Sequence, residues 1–226
     1  MYDLAVIFDM DGVLIDTYRA HFKSWLMMAE TRGLTFAEPE FAPTFGRTSR
    51  EIIRMLWGDG RFSDEQMRQM DEEKEAAFRQ LIAADFPGMP GVTELLRSLF
   101  DAHFKLGVGS SGPPENVCMV LERLRARPLF ASVVTGRDVS RGKPDPEVFL
   151  IAAQRLGVPP MRCVVIEDAP VGVQAAKAAG MAAIGMASTG RTREELRQAD
   201  LVVDSPKELS PRRIAAVIAS CRRGCC

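Results

Sequence analysis

Two carboxylates separated by one residue follow the first apolar segment of the chain. Asp9 and Asp11 come directly after the apolar residues 4–8, and Asp16 lies close behind. Carboxylates at the end of a buried strand are costly unless a cation or a hydrogen-bond donor pairs with them. Mg²⁺ takes such oxygen ligands and keeps waters that a phosphate can displace. An acidic turn would leave the same pattern, because Asp-Gly is also an ordinary turn signal.

Hydroxyl and ammonium groups follow two later apolar segments. Ser110 and Ser111 come directly after residues 105–109, and a hydroxyl beside glycine at a helix start is a good seat for an anion. Lys143 lies just before the helix predicted at residues 146–156, where a fixed lysine can neutralise phosphate. Taken singly, these residues also fit a serine-capped turn and a solvated lysine.

A second acidic pair, Glu167 and Asp168, follows the apolar residues 163–166. Open α/β sheets bind ligands outside the carboxyl ends of their strands. Four strand ends would therefore supply two acids, a hydroxyl, a lysine and two more acids at one edge. The acids could hold Mg²⁺, the hydroxyl and the lysine could bind phosphoryl oxygens, and one carboxylate would remain to attack phosphorus.

The elements that must position these residues alternate between strand and helix from residue 91 onward. Apolar runs predict strands at residues 4–9, 105–109, 132–134, 163–166, 182–186 and 201–203. Helices are predicted at about 91–102, 114–126, 146–156, 170–179, 192–198 and 211–221. This alternation predicts an α/β fold with a doubly wound, Rossmann-like parallel sheet.

Residues 16–87 break the alternation, because they predict only helices. These lie at about 17–32, 48–57 and 63–84, with apolar residues at helical spacing. Such a block is too large for one crossover and too helical for a loop. We therefore predict an all-helical cap domain at 16–87, inserted into a core of residues 1–15 and 88–226.

Composition argues against several classes of protein. The 226 residues carry a net charge of -1, whereas a non-specific nucleic-acid binder would carry a basic surplus. No apolar run approaches the roughly 20 residues of a membrane span. The start of the chain lacks the basic segment of a secretion signal. We expect a globular protein that binds neither nucleic acid nor membrane.

The five cysteines form no recognisable disulfide framework, which favours a reducing, cytoplasmic location. Cys118 and Cys163 fall in apolar patterns and are predicted to lie in the core. Cys221, Cys225 and Cys226 are close to the end of the printed sequence. They are interpreted as a frayed, reduced segment, with metal binding, disulfides or a lipid as the alternatives.

The four polar groups resemble, in order and spacing, the four motifs of the haloacid dehalogenase superfamily of phosphotransferases. The matching stretches are residues 9–16, Ser110, residues 142–146 and residues 167–172. The resemblance covers essentially the whole chain except the cysteine-containing tail. The helical insert is similar to the cap of the branch that includes β-phosphoglucomutase and many small-molecule phosphatases.

This resemblance implies roles for the matching residues. Asp9 would be the nucleophile that forms an aspartyl-phosphate. Asp11 would be the general acid, which protonates the leaving oxygen and then activates water. Ser110, Ser111 and Lys143 would bind the phosphoryl group. Such roles agree with phosphoryl-transfer chemistry, which depends mostly on positioning and on charge neutralisation.

The resemblance also implies a Mg²⁺ cofactor. Asp9, the backbone carbonyl of Asp11 and Asp168 would be metal ligands, and Glu167 would lie close by. True dehalogenases lack an acid two residues after the nucleophile, so Asp11 argues against dehalogenation. Phosphonate-cleaving relatives have a small residue there and fit poorly too. The implied substrate is a small phosphorylated metabolite, with a sugar phosphate favoured.

The predicted cap residues bear on the choice between a phosphatase and a mutase. His21 and Arg50 match the cap histidine of β-phosphoglucomutase and its arginine for the distal phosphate, and Gly46 is predicted to lie near the substrate. Against a mutase, Gln80 stands where that enzyme has a substrate-binding lysine, and prolines at 113–114 replace a Lys-Asn pair. A phosphatase is favoured, and the mutase is the alternative.

Two readings outside this enzyme class remain. A signalling receiver domain also uses strand-end aspartates, but it is about half as long and lacks a helical insert. A catalytically idle relative would bind a metabolite or a protein without turnover. The sequence identifies neither the substrate nor the oligomeric state, and we expect a monomer or weak dimer.

Overall fold

The structure is a computed structural model that describes residues 3–44, 47–188 and 190–223. The chain forms two compact units. The first unit consists of Met1–Asp16 together with Gly88–Cys226, and the second consists of Thr17–Pro87. A sheet flanked by helices forms the first unit, and helices form the second.

A parallel sheet of six strands organises the first unit. Its strands are β1 (Ala5–Phe8), β2 (Lys105–Gly109), β3 (Phe130–Val134), β4 (Cys163–Glu167), β5 (Ala182–Met186) and β6 (Leu201–Val203). Their order in the sheet is β3-β2-β1-β4-β5-β6, and all neighbours are parallel. The predicted α/β fold with a Rossmann-like sheet is confirmed. Strand β1 is central and fully buried, as a continuous apolar run predicts.

Nine helices are described, four in the second unit and five in the first. The second unit contains α1 (Tyr18–Thr31), α2 (Glu38–Phe41), α3 (Ser49–Trp57) and α4 (Asp64–Ala84). The first unit contains α5 (Val92–Asp101), α6 (Pro114–Arg123), α7 (Glu147–Leu156), α8 (Pro170–Ala178) and α9 (Pro211–Arg223). Proline at the first position opens α6 and α8, where its missing N–H costs little.

Helices α7 and α8 cover one face of the sheet and form the core beside the strand ends. Phe149 of α7 and Val173 of α8 pack in one cluster with Ile7 and Val165 of the central strands. Each of these side chains is almost fully buried. This packing fixes the loops that lead into α7 and α8, and those loops carry the predicted site residues.

The second unit has its own core of aromatic, aliphatic and methionine side chains. Helix α1 packs along α4, and Trp25, Phe41 and Met70 are buried between the helices. Thr48 and Ser63 cap α3 and α4, because each side chain accepts a hydrogen bond from the backbone N–H three residues later. Apolar packing thus joins these helices, and polar caps set where α3 and α4 begin.

Two sequence predictions about elements and burial are wrong, and one short helix was not predicted. Residues 192–198 form turns instead of a helix, because Leu196 is the one side chain of this segment that is buried and a short helix needs an apolar face to pack. Helix α2, which contributes Phe41 to the core, was not predicted. Cys118 is exposed, whereas Cys163 is buried as predicted. Burial raises the pKa of the Cys163 thiol to about 12.

Within the described ranges, no helix has both the length and the apolar character needed to span a membrane. The cytoplasmic location and the monomeric or weakly dimeric state stay predictions. Cys225 and Cys226 lie outside the described residues.

Candidate active site

The two acidic pairs meet because β1 and β4 are neighbours in register. Phe8 pairs with Ile166, and the Asp9 N–H continues the ladder by donating to the Ile166 carbonyl at 2.9 Å. Asp9 therefore lies beside Glu167. Carboxylate oxygens of Asp9, Glu167 and Asp168 all lie within 4.8 Å of one another, and all three residues are buried. The predicted meeting of the two pairs at the strand ends is thus observed for these three acids.

Lys143 reaches this cluster from the loop between β3 and α7. Its Nζ donates to Asp9 Oδ1 at 2.8 Å and to Glu167 Oε1 at 2.6 Å. The side chain is 7% exposed, so the ammonium is almost removed from water. Burial lowers the pKa of Lys143, but the negative charges of Asp9 and Glu167 outweigh it and raise the pKa. The lysine therefore stays protonated at neutral pH.

Glu167 is held by its own surroundings. Its Oε2 accepts a hydrogen bond from the Ala169 N–H at 2.7 Å, and its Oε1 accepts from Lys143. A side chain at Gly172, in the first turns of α8, would overlap the Glu167 carboxylate. Both Glu167 oxygens are therefore occupied by donors, which favours a role in holding Lys143 over direct binding of a cation.

The Asp168 carboxylate is less well satisfied by hydrogen bonds than the Glu167 carboxylate. Its Oδ2 is buried and has no hydrogen-bond partner among residues 3–44, 47–188 and 190–223. Gly12, at φ +68°, packs directly against this carboxylate, and a Cβ there would overlap it. Burial, followed by the charges of Glu167 and Asp9, raises the pKa of Asp168, while Arg191 opposes the shift. A buried anion with an unsatisfied oxygen is costly unless a cation binds it.

The surroundings of Asp9 also disfavour its ionised form. Its pKa is raised to about 7, and burial is the largest cause. The positive charge of Lys143 opposes this shift, and the charges of Glu167 and Asp11 add to it. One lysine thus faces three buried carboxylates, which leaves negative charge for a second cation to neutralise. Carboxylate oxygens are the donors that a hard divalent cation prefers, so Asp9 and Asp168 fit the Mg²⁺ that the sequence predicts.

Ser110 follows β2, the neighbour of β1 on the other side. Its N–H donates to the Val134 carbonyl at 3.0 Å, which continues the ladder with β3. Its buried Oγ accepts from the Gly112 N–H at 3.0 Å. Helix α6 starts soon after, and the positive end of its dipole favours an anion nearby. Ser111 is exposed, so the two predicted phosphate-binding serines differ in burial.

Asp11 lies in the turn that follows β1. This turn is closed by a hydrogen bond from the Gly12 N–H to the Ile15 carbonyl at 2.8 Å. Asp11 is half-buried, whereas Asp9 is buried. A group that exchanges protons with water and substrate needs such access, so this placement agrees with the predicted general acid.

The predicted cap residues lie in the second unit. The His21 ring stacks on the Phe78 ring of α4, with centroids 4.2 Å apart and planes at 10°. Arg50, in the first turn of α3, forms an ion pair with Asp64 at 3.2 Å and is about half exposed. Gly46 lies outside the described residues. The substrate roles of these residues stay predictions.

Lys74 is a candidate that the sequence analysis missed. Its side chain is buried, pairs with Glu75 at 2.6 Å, and lies 5.4 Å from the Phe78 ring centre. Gln80, on the same helix, is the residue that the resemblance singled out instead. Lys74 falls at helical spacing within the buried apolar side of α4, and a lysine at such a core position is rare unless it is paired. This position of a lysine among apolar residues at helical spacing was the sequence signal that could have identified Lys74.

Comparison with known proteins gives consistent matches. The family model described as haloacid dehalogenase-like hydrolase matches residues 6–186. A phosphorylated carbohydrates phosphatase from Thermotoga maritima is 36% identical over 180 residues, which are 78% of this chain and 82% of that protein. The β-phosphoglucomutase of Bacillus subtilis is 32% identical over 212 residues, or 91% of each chain.

A solved structure is similar over nearly the whole chain. The crystal structure of β-phosphoglucomutase from Clostridium difficile superposes with a TM-score of 0.86 at 30% identity. The match covers 97% of this chain and 98% of that one. Both the sheet and the helical unit therefore have counterparts in a known protein.

Proposed function

Because the chain belongs to the haloacid dehalogenase-like hydrolase family, we propose that it is a Mg²⁺-dependent phosphatase. Its substrate is a small phosphorylated metabolite, with a sugar phosphate favoured, and the reaction passes through a phosphoryl group on Asp9. One observation carries this proposal. Three buried carboxylates and one lysine lie close together at the carboxyl ends of the strands. Such an arrangement costs free energy, and phosphoryl transfer would use it.

In the first step, an Asp9 carboxylate oxygen attacks the phosphorus atom of the monoester. The bond from phosphorus to the leaving oxygen breaks, and Asp11 gives its proton to that oxygen. Lys143 and Ser110 bind the phosphoryl oxygens during the transfer. Lys143 is suited to this role because its ammonium is already fixed 2.8 Å from Asp9, so little reorganisation accompanies the reaction.

In the second step, water attacks the phosphorus of the aspartyl-phosphate. Asp11, now ionised, takes a proton from that water, and the bond from phosphorus to Asp9 breaks. The products are inorganic phosphate and the original Asp9 carboxylate. The half-buried position of Asp11 supports this use, because the same carboxyl must reach the leaving group and then water.

Asp9, the backbone carbonyl of Asp11 and Asp168 are the proposed Mg²⁺ ligands. A bound Mg²⁺ supplies positive charge that screens the carboxylates from the incoming phosphate. Glu167 fits a supporting role better, because both of its oxygens accept hydrogen bonds. Asp168 Oδ2 is buried and has no hydrogen-bond partner in the part of the chain that the structure describes, which supports direct coordination by that residue.

We propose that the second unit, Thr17–Pro87, acts as the cap that selects the substrate. The sugar-phosphate preference is supported by the name of the Thermotoga maritima relative, a phosphorylated carbohydrates phosphatase. His21, Arg50 and Lys74 are the polar residues of this unit that we assign to substrate selection.

Phosphate release from a panel of phosphorylated metabolites, with Mg²⁺ and with EDTA, tests this function. We expect Mg²⁺-dependent hydrolysis of p-nitrophenyl phosphate and faster hydrolysis of one class of sugar phosphate. Brief incubation followed by acid quenching and peptide mass spectrometry should place a phosphoryl group on Asp9. No release from any substrate, together with no phosphopeptide, would favour a protein that only binds a ligand.

A sugar-phosphate mutase is the second candidate. The β-phosphoglucomutase of Bacillus subtilis covers 91% of this chain, and the buried Lys74 weakens the argument that was based on Gln80. Incubation with β-glucose 1-phosphate and a trace of the 1,6-bisphosphate separates the two activities. A mutase would produce glucose 6-phosphate without releasing phosphate, whereas the proposed phosphatase releases phosphate.

A further inference from the structure

Lys143 depends on a loop for its position. Residues 135–146 connect β3 to α7 without forming a helix or strand. A lysine has four rotatable side-chain bonds, and a surface loop adds backbone freedom, so holding one ammonium in place costs conformational entropy. Some part of the structure must restrain both the loop and the side chain.

Glu147, in the first turn of α7, restrains the loop backbone. Its Oε2 accepts hydrogen bonds from the Ser140 N–H at 3.0 Å and from the Arg141 N–H at 2.9 Å. The Glu147 N–H in turn donates to Asp145 Oδ1 at 3.0 Å. One carboxylate thus ties the residues before Lys143 to the start of the helix that follows it. Both acceptor bonds are charge-assisted, and such bonds are stronger than neutral ones.

Helix α7 makes two further contacts with this region. The Lys143 ammonium lies 4.9 Å from the centre of the Phe149 ring, a distance suited to a cation–π contact. At the other end of the helix, Arg155 binds Asp138 at 2.7 Å, and Asp138 accepts from the Thr135 N–H at 2.8 Å. The loop is therefore anchored near both ends, with Glu147 as the anchor nearer to Lys143.

We propose that Glu147 is a positioning residue, which fixes the loop so that Lys143 reaches Asp9 and the phosphoryl group. Glu147 does not touch the reacting atoms and acts through Lys143. This inference rests on the proposed function in one respect, because the consequence for turnover assumes that Lys143 binds phosphate. The consequence for the position of Lys143 does not depend on that assumption.

Substitution of Glu147 should separate the loss of the carboxylate from the loss of its charge. Glu147→Ala removes the acceptor, so we expect kcat for p-nitrophenyl phosphate to fall about 10- to 100-fold, the scale of a misplaced catalytic group. KM should change less, because charge neutralisation matters most in the transition state. Glu147→Gln keeps an acceptor oxygen and should retain most activity. Gln154→Ala, an exposed change on the same helix, is the matched control.

A direct measurement of Lys143 makes the test independent of turnover. Amine-specific acylation, read by peptide mass spectrometry, reports the reactivity of each lysine in the folded protein. Lys143 is 7% exposed and paired with two carboxylates, so it should react slowly in the wild type. In Glu147→Ala its rate should rise by about 10-fold or more, since a less restrained lysine exposes its amine. Lys105 and Lys177 serve as internal references.

The acylation rates and kcat values of the variants decide whether Glu147 positions Lys143. Faster Lys143 acylation in Glu147→Ala, with wild-type rates in Glu147→Gln and Gln154→Ala, supports the positioning role. Wild-type acylation and wild-type kcat in a folded Glu147→Ala protein overturn it. If Glu147→Ala does not fold, Glu147→Asp replaces it, because the shorter side chain cannot reach both N–H groups. Full activity in Lys143→Met would refute the proposed phosphate role of Lys143, while the acylation result would still decide the role of Glu147.

Discussion

The charged residues at the strand ends of the first unit differ in solvent exposure from the ion pairs of the second unit. At the strand ends of the first unit, the side chains of Asp9, Glu167 and Lys143 are at most 10% exposed, and Lys143 pairs with both acids. In the second unit, Arg50 and Asp64 form an ion pair whose side chains are 52% and 75% exposed. Aromatic, aliphatic and methionine side chains fill the interior of that unit. Lys74 is its one described lysine or arginine with a buried side chain.

This difference has a physical meaning. Removing a charge from water costs several kcal/mol, so stability alone rarely explains a buried cluster of acids. Exposed ion pairs contribute roughly 0–1 kcal/mol and can change without much effect. We infer that the buried charges of the first unit depend on one another, whereas an exposed ion pair of the second unit such as Arg50–Asp64 does not hold that unit together.

Replacement of the proposed nucleophile should have the largest effect. Asp9→Asn removes the attacking carboxylate, and we expect kcat/KM for p-nitrophenyl phosphate to fall about 10⁴-fold or more, as for other nucleophiles. The protein should still fold, because the change removes a buried charge. Asp3→Asn, in an exposed ion pair with Lys105, is the control. Full activity in Asp9→Asn would refute the assigned mechanism.

Removal of a core side chain should affect the second unit through packing. Trp25 is 1% exposed, and Trp25→Ala should lower the free energy of unfolding by about 3–5 kcal/mol. Met55→Ala, at a site 50% exposed, should stay within about 0.5 kcal/mol of the wild type. Urea denaturation followed by circular dichroism measures both. Equal losses would mean that aromatic packing does not hold this unit together.

The loss of one acid from the buried cluster should change metal binding and stability in opposite directions. Asp168→Asn should weaken Mg²⁺ binding by about 100-fold, the upper range for changes around metal sites. Without metal, the variant should melt at a higher temperature than the wild type, because burial and neighbouring charges disfavour the ionised Asp168. Thermal denaturation with MgCl₂ and with EDTA measures both effects.

Glu65→Gln, an exposed change in the second unit, is the control for this experiment. It should leave both melting temperatures near those of the wild type. An equal rise in melting temperature on adding MgCl₂ to the wild type and to Asp168→Asn would contradict the ligand role of Asp168.

Changes at the exposed cap residues should be the smallest and should depend on the substrate. Arg50→Gln should leave hydrolysis of p-nitrophenyl phosphate nearly unchanged. KM for sugar phosphates with a second anionic group should rise less than about 10-fold, on the scale of an exposed charge pair. Arg54→Gln, which breaks the neighbouring pair with Asp59, is the control. A 100-fold loss with p-nitrophenyl phosphate would contradict the division between the units.

The sheet was largely predictable from the sequence. Strands β2, β5 and β6 have the predicted bounds, because continuous apolar runs bounded by turn residues identify buried parallel strands. The predicted site acids and Ser110 lie at strand ends for the same reason. Their chemical roles depend on bound substrate and metal, and they stay proposals.

The two wrong predictions and the overlooked lysine have a common cause. Residues 192–198 have helical spacing but lack a face that packs against the rest of the unit. Cys118 lies on the exposed side of α6, a matter of helix rotation that an apolar pattern shows only approximately. Lys74 was overlooked because its burial depends on Trp25 and Phe78, which contact it from α1 and α4. In each case, packing in the folded unit decided the outcome.

By itself, the sequence located the end of each strand to within one residue and showed which side chains are available for phosphoryl chemistry. Local apolar patterns and turn residues are sufficient for this, since they act over a few residues. Only the tertiary structure decided that both Glu167 oxygens accept hydrogen bonds, while Asp168 Oδ2 has no partner among the described residues, and that Glu147 restrains the loop of Lys143. Those properties come from the register of β1 with β4 and from the packing of α7, which bring together residues far apart in the chain.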